Sequence, residues 1–275
     1  GGGGGGGGSG LRRRMVAASG WSLAAMAASQ VLRLASNLLL ARLLVPEDFG
    51  LAAVVSGVLA GLLMFSDIGL APAVVRSPRG EDPAFLRTAF TLQAARGAGL
   101  WVATCVAAWP ASLVYGRPLM WLLPVSGLVA MLAGLTSSAF LVASRRMEQR
   151  RLAIAEVVSI LAQVVTSVVW ALLWPSVWAL IGGGLVGAVV RTLISHLWFG
   201  GFQDRFRLEG AAARELVRFG RWIFVSTAVT FLSQQADRLV LGVVVPIGVL
   251  GVYSMSTMLA RSVTVRSDSL RMVRK

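Results

Sequence analysis

Histidine and cysteine each occur once, as His196 and Cys105. Single copies exclude an intramolecular disulfide, a zinc site of the usual Cys/His kind and most catalytic triads. Acidic residues are scarce, 12 against 26 basic ones, which gives a formal net charge of +14, and only one of the 26, Lys275, is a lysine. Such an excess often marks a nucleic-acid binder. Here the arginines sit between apolar segments instead of covering one soluble face, so nucleic acid is not the expected partner. The opening "GGGGGGGGSG" is a low-complexity run and carries no fold information. What remains is grease: 56% of residues are hydrophobic and mean hydropathy is +0.74, too apolar for an ordinary soluble domain.

A bilayer core about 30 Å thick needs about 20 apolar residues in a helix. Seven such runs lie near residues 20–44, 50–75, 88–109, 119–143, 152–174, 176–200 and 219–245, with a partial eighth at 248–262. Continuous rather than alternating runs exclude barrel strands, and lipid leaves only helices. The expected class is all-α, a polytopic membrane bundle. Arginines cluster before the first run (Arg12, Arg13, Arg14) and after the second, fourth and sixth, whereas the other loops carry only Arg117. The positive-inside bias then puts the N-terminus in the cytoplasm. Trp21, Trp198 and Trp222 fall at the inner interface, and Trp109, Trp121, Trp174 and Trp178 near the outer one; Trp101 fits neither belt.

Shifting the chain by 201 residues pairs Trp21 with Trp222, Ala35 with Ala236, Leu38 with Leu239, Leu40 with Leu241 and Gly50 with Gly251. The shift superposes helix one on helix seven and helix two on helix eight. Six helices per repeat makes both repeats enter from one side, the parallel-repeat design of some transporters. The expected organisation is a basic N-terminus (1–14), a first six-helix lobe (15–203), a cytoplasmic linker (204–218), the start of a second lobe (219–262) and a basic tail (263–275). On this scheme the second lobe is incomplete, and the chain reads as a fragment or a truncated product.

Ionisable groups at membrane depth cost at least ~2.5–3.5 kcal/mol and face an interior or a cavity. Gln30, Arg33 and Asn37 are spaced by three and four, so they share one face of the first helix, with Arg33 near mid-depth. That face either glues helices together or lines a water-filled, substrate-facing cavity, which the spacing favours. In the seventh helix, Thr227, Thr230, Gln234 and Asp237 form a comparable stripe beside Arg238, and the repeat sets Gln234 opposite Arg33. Asp237 and Arg238 could equally neutralise each other. Gln93 and Arg96 share a face about 12 Å into the third helix, from which Arg96 could snorkel to the surface. Asp67 and Glu156 are the candidate ion-coupling carboxylates, although Glu156, expected in the first turn of its helix, also suits the helix dipole. Arg191 reads as a snorkelling residue and His196 as interfacial. Gly57/Gly61 and Gly183/Gly187 are close-packing pairs. Gly182–Gly184 follows no strand and no lysine, so it is no phosphate loop.

At "ARLLVPEDFGLAAVV", "FSDIGLAPAVVR" and "ADRLVLGVVVPIGVLGVYSMSTMLA" the chain resembles the oligosaccharide flippases (Wzx-type polysaccharide transporters) of the multidrug, oligosaccharidyl-lipid and polysaccharide exporter superfamily. The likeness spans roughly residues 15–260. It implies a non-enzymatic transporter of polyprenyl-diphosphate-linked oligosaccharide for surface polysaccharide such as lipopolysaccharide. An ion or proton gradient would be the only auxiliary agent, and polysaccharide-assembly proteins would be neighbours. Two rivals stand beside it. A multidrug exporter of the same superfamily would prefer an acidic, aromatic lining to an arginine-bearing one. A membrane-embedded polymerase or glycosyltransferase would need large extramembrane loops, and the outer loops here are short.

Overall fold

The computed structural model describes residues 6–66, 74–75, 77, 79–199 and 204–210, with side chains from residue 20 onward except Phe65. Among these, seven helices form: α1 Gly6–Leu43, α2 Pro46–Phe65, α3 Pro83–Tyr115, α4 Leu119–Gly134, α5 Ala139–Arg145, α6 Gln149–Leu173 and α7 Val177–Leu197. The described chain contains no strand, and the all-helical membrane class holds. By length and composition α1, α2, α3, α6 and α7 can each cross a bilayer, and the bent pair α4–α5 is apolar enough to form either a broken sixth span or a re-entrant loop. Leu113, Trp121, Leu173, Trp174 and Leu197 stand exposed around the bundle, where lipid, not water, suits them. The expected second lobe, with Gln234, Asp237 and Arg238, lies outside the described residues, as does Asp67.

The helix ends follow local chemistry. Pro46 opens α2 and Pro83 opens α3, positions where the missing N–H costs nothing. Asp82 caps α3 by accepting the Ala84 N–H at 3.0 Å. Gly116, at φ 103°, takes the positive-φ backbone that stops α3. Asp48, in the first turn of α2, reaches across to accept the Val177 N–H that opens α7 at 3.0 Å. One carboxylate thereby serves two helix N-termini.

Three boundaries differ from the sequence expectation. The first helix runs back to Gly6, so about 22 Å of helix precedes Trp21. Its Trp21 ring lies 5.5 Å from the Arg150 guanidinium, level with the start of α6. The second helix stops at Phe65, not 75, capped by Ser66, whose hydroxyl donates to Leu63 O at 3.1 Å. The run 119–143 is no single helix. It breaks at Leu135–Ser138 and turns by 61°. Consecutive hydroxyl side chains there compete for backbone groups, and neighbours complete the satisfaction. Thr192 Oγ1 donates to Leu132 O at 3.0 Å, and His196 Nε2 to Leu135 O at 2.8 Å. Ser195 Oγ accepts the Ser137 N–H at 3.0 Å, and Asp204 accepts the Ser138 N–H at 3.2 Å and the Ser138 hydroxyl. A broken helix at membrane depth persists only where protein or a wet cavity supplies such partners.

Packing of the described residues gathers apolar clusters toward both ends of the bundle. At the end away from the arginine loops, Val54, Val55, Leu119, Leu122, Leu123 and Ile181 make one cluster, and Leu40, Leu44, Phe49, Ala171 and Ala179 another. At the arginine-rich end, Val74 packs with Phe85, Leu86, Ala89 and Val142, and Ala139 with Ala143, Ala155 and Phe199. Glycines set how closely helices cross. A Cβ on Gly97 would lie 2.9 Å from both Ala130 O and Gly134 Cα, so α3 and α4 touch backbone to backbone. A Cβ on Gly183 would collide with the Ser167 hydroxyl and lie 2.8 Å from Gln163 O, which fixes α7 against α6.

Residues 204–210 form a strap over the arginine-rich end. The Arg207 N–H donates to Thr91 Oγ1 at 3.0 Å, Thr91 Oγ1 lies 3.1 Å from Arg207 O, and the Glu209 N–H donates to Thr88 Oγ1 at 3.1 Å. Phe206 packs on Phe90 at 5.4 Å, and Arg79 pairs with Glu209 at 3.4 Å.

Candidate functional site

Between the apolar ends lies a cleft of about 510 Å³, to which all seven helices contribute. Arg33 enters from α1, Leu63 from α2, Gln93 and Arg96 from α3, and Ala133 from α4. Thr136 and Ser137 come from the helix break, Phe140 from α5, Glu156, Ser159 and Gln163 from α6, and Arg191 and Thr192 from α7. Its charged members among the described residues are three arginines and one glutamate.

The centre of this lining is a shared carboxylate. Glu156 Oε2 accepts a hydrogen bond from the Arg191 guanidinium, while Oε1 lies 3.7 Å from Arg33 NH2. Arg191 also sits over the Phe140 ring, 5.4 Å from its centroid. It is therefore held on two sides. Arg33 is not: Glu156 is its only ionic partner among the described residues, at a distance too long for a hydrogen bond, and its side chain is 58% exposed. One negative and two positive groups leave this trio positive by one.

Two sequence readings are corrected here. Glu156 is the eighth residue of α6, not part of its first turn, so the helix dipole, which fades within a turn, does not explain it; the two arginines do. Arg191 does not snorkel out but turns inward to Glu156. Arg96 likewise stays in the protein. Its Nε donates to Ser66 Oγ at 3.0 Å and its NH2 to Leu63 O at 3.1 Å, tying α3 to the last turn of α2. Gln93 spends its amide on Ala133 O at 2.9 Å. Gln30 and Asn37, half-buried on α1, are not among the lining residues. The unplaced Trp101 donates its indole N–H to Pro124 O at 3.2 Å, so it is anchored to α4 and belongs to neither interfacial belt.

The sequence reading missed Thr136, Ser137 and Thr192 as lining. The hydroxyl run "TSS" after Gly134 was the available signal, since such a cluster inside an apolar segment predicts a break. His196 is exposed, as an interfacial residue would be, yet its Nδ1 lies 3.7 Å from the buried carboxylate of Asp204, a contact only the fold creates.

An anionic group small enough to enter the cleft would meet the Arg33 and Arg191 guanidiniums on either side of Glu156 and hydroxyls from the broken helix, set among apolar side chains such as Leu63, Leu100, Phe140 and Ile160. Guanidiniums bind phosphate and carboxylate through paired, charge-assisted hydrogen bonds and keep their protons. The model of the family described as "Polysaccharide biosynthesis protein" matches residues 39–269. That stretch holds Arg96, Glu156 and Arg191; Arg33 precedes it. Neither the curated proteins nor the solved structures contain a match.

Proposed function

This chain belongs to the polysaccharide biosynthesis protein family, as its likeness to the oligosaccharide flippases implied, and from that premise we propose that it moves polyprenyl-diphosphate-linked oligosaccharide across the bacterial cytoplasmic membrane. The observation that carries this reading is the charged cluster in a cleft inside an apolar bundle, with Arg33 and Arg191 converging on one carboxylate. The polyprenyl tail stays in lipid, and the diphosphate and sugars pass through the cleft, where the Arg33 guanidinium replaces water around the phosphates. The net positive trio suits an anionic headgroup and disfavours cationic drugs, which argues against a multidrug exporter. Alternating access follows if this lobe rocks against a second one, with the N-terminus on the cytoplasmic side. No step of this transport makes or breaks a covalent bond.

The test is Arg33→Ala and Arg33→Lys in cells that depend on this protein for surface polysaccharide. Arg33→Ala should abolish surface polysaccharide at unchanged membrane abundance. Arg33→Lys, which keeps the charge but loses the bidentate fork, should retain part of it. Normal polysaccharide with Arg33→Ala would remove the cleft from the transport path.

A further inference from the structure

A cleft that binds a diphosphate through arginines faces a second requirement: it must let go. Passage through any site needs binding favourable enough for entry yet weak enough for exit. Guanidinium–phosphate pairs in a partly dehydrated cleft are strong, so two unopposed arginines would trap the cargo. The trio contains the group that opposes this.

Glu156 stands two turns into α6, between helices α1 and α7, and its two oxygens face different guanidiniums. The two partnerships are unequal. Arg191 is hydrogen-bonded to Oε2 and covered by the Phe140 ring. Arg33 rests at 3.7 Å from Oε1 without a hydrogen bond and with more than half its side chain exposed. A carboxylate and a phosphate oxygen present the same chemistry to a guanidinium. Glu156 is thus an oxyanion fixed where the cargo's oxyanion would sit relative to Arg33.

We propose that Glu156 is an internal counter-ion that competes with the cargo's diphosphate for Arg33 and so drives its release. The proposal rests on the anionic-cargo reading above and adds the device that limits affinity. In the empty cleft Glu156 compensates Arg33. When cargo enters, Arg33 swings from Oε1 to phosphate while Arg191 stays with Oε2. On departure Oε1 recaptures Arg33, and the site returns to its closed electrostatic state. Glu156 is a specificity-determining residue on this account: a neutral sugar cannot displace it, and a weakly acidic one does so poorly.

The experiment uses the purified chain in phosphatidylcholine nanodiscs, whose lipid carries no net charge, titrated calorimetrically with inorganic pyrophosphate. Glu156→Gln should bind pyrophosphate at least about fivefold more tightly than the wild type, yet support less surface polysaccharide in cells, because release is slowed. A merely structural role for Glu156 lowers both. Glu156→Asp, one methylene shorter, keeps the charge but withdraws it from both guanidiniums, so it should tighten binding in the same direction by less; it decides the matter if Glu156→Gln fails to fold. Unchanged or weaker binding in the folded variant, while Arg33→Ala abolishes binding, overturns the counter-ion and leaves the anionic-cargo reading standing. No pyrophosphate binding to the wild type or to any variant overturns both.

Discussion

Helix α3 holds two glycines two residues apart that should respond in opposite ways to the same substitution. Gly97 is buried at the crossing with α4, and a Cβ there would lie 2.9 Å from Ala130 O, 2.9 Å from Gly134 Cα and 3.2 Å from Met131 O, all backbone atoms that cannot rotate aside. Gly99 has nothing within 4 Å of the same added atom. Both changes gain the same helix propensity, roughly 1 kcal/mol for Gly→Ala. Only Gly97→Ala must push α3 and α4 apart by several tenths of an ångström, an overpacking that costs about 1–3 kcal/mol. The difference between the two variants therefore isolates the steric cost, because the propensity cancels. Thermal unfolding of purified variants in detergent should place Gly97→Ala below Gly99→Ala, with Gly99→Ala at or above the wild type. Gly97 also lines the cleft next to Arg96, so Gly97→Ala should reduce surface polysaccharide and Gly99→Ala should not. Equal stability of the two variants would refute the backbone contact between α3 and α4.

The strap and the arginine-rich loops yield two further tests. Thr91→Val removes the hydroxyl that accepts the Arg207 N–H at 3.0 Å, and whose single proton is shared between Arg87 O at 2.8 Å and Arg207 O at 3.1 Å, a loss of about 1 kcal/mol, and should speed tryptic cleavage after the exposed Arg205 and Arg207 by about fivefold; unchanged cleavage would mean that the strap does not rest on α3. In the loop before α3, the Asp82 carboxyl is held below the usual carboxylate range, first by the Ala84 N–H and then by Arg79, and Glu81 is held low by Arg146. Groups held charged by the fold bind fewer protons than in the unfolded chain, so their contribution is complete above the unfolded values near pH 4 and fades as pH falls through the lower folded ones. Hydrogen exchange at residues 83–88, compared between about pH 5 and about pH 3 after correction for intrinsic rates, should show the first turn of α3 losing protection in acid; constant protection would refute the cap.

Much of this protein is written in one dimension. Runs of about 20 apolar residues can only be helices in lipid, so the helical class and the order of the long apolar helices among the described residues were legible without coordinates. So was the polar character of Arg33, Arg96 and Glu156, because a charge at membrane depth needs a reason wherever the helix turns. Which charge answers which is a different kind of fact. Glu156 and Arg191 are 35 residues apart in sequence, and no spacing rule links positions on two helices until their rotation and crossing are set. The break at Leu135–Ser138 shows the same division. Its hydroxyl residues make a bend cheap, but the bend exists because Thr192, Ser195, His196 and Asp204, brought from α7 and the strap, satisfy the groups it exposes. Local composition determined what could sit in the membrane; only packing decided which polar groups would face each other, since electrostatic and hydrogen-bond partnerships depend on distances through space and not along the chain.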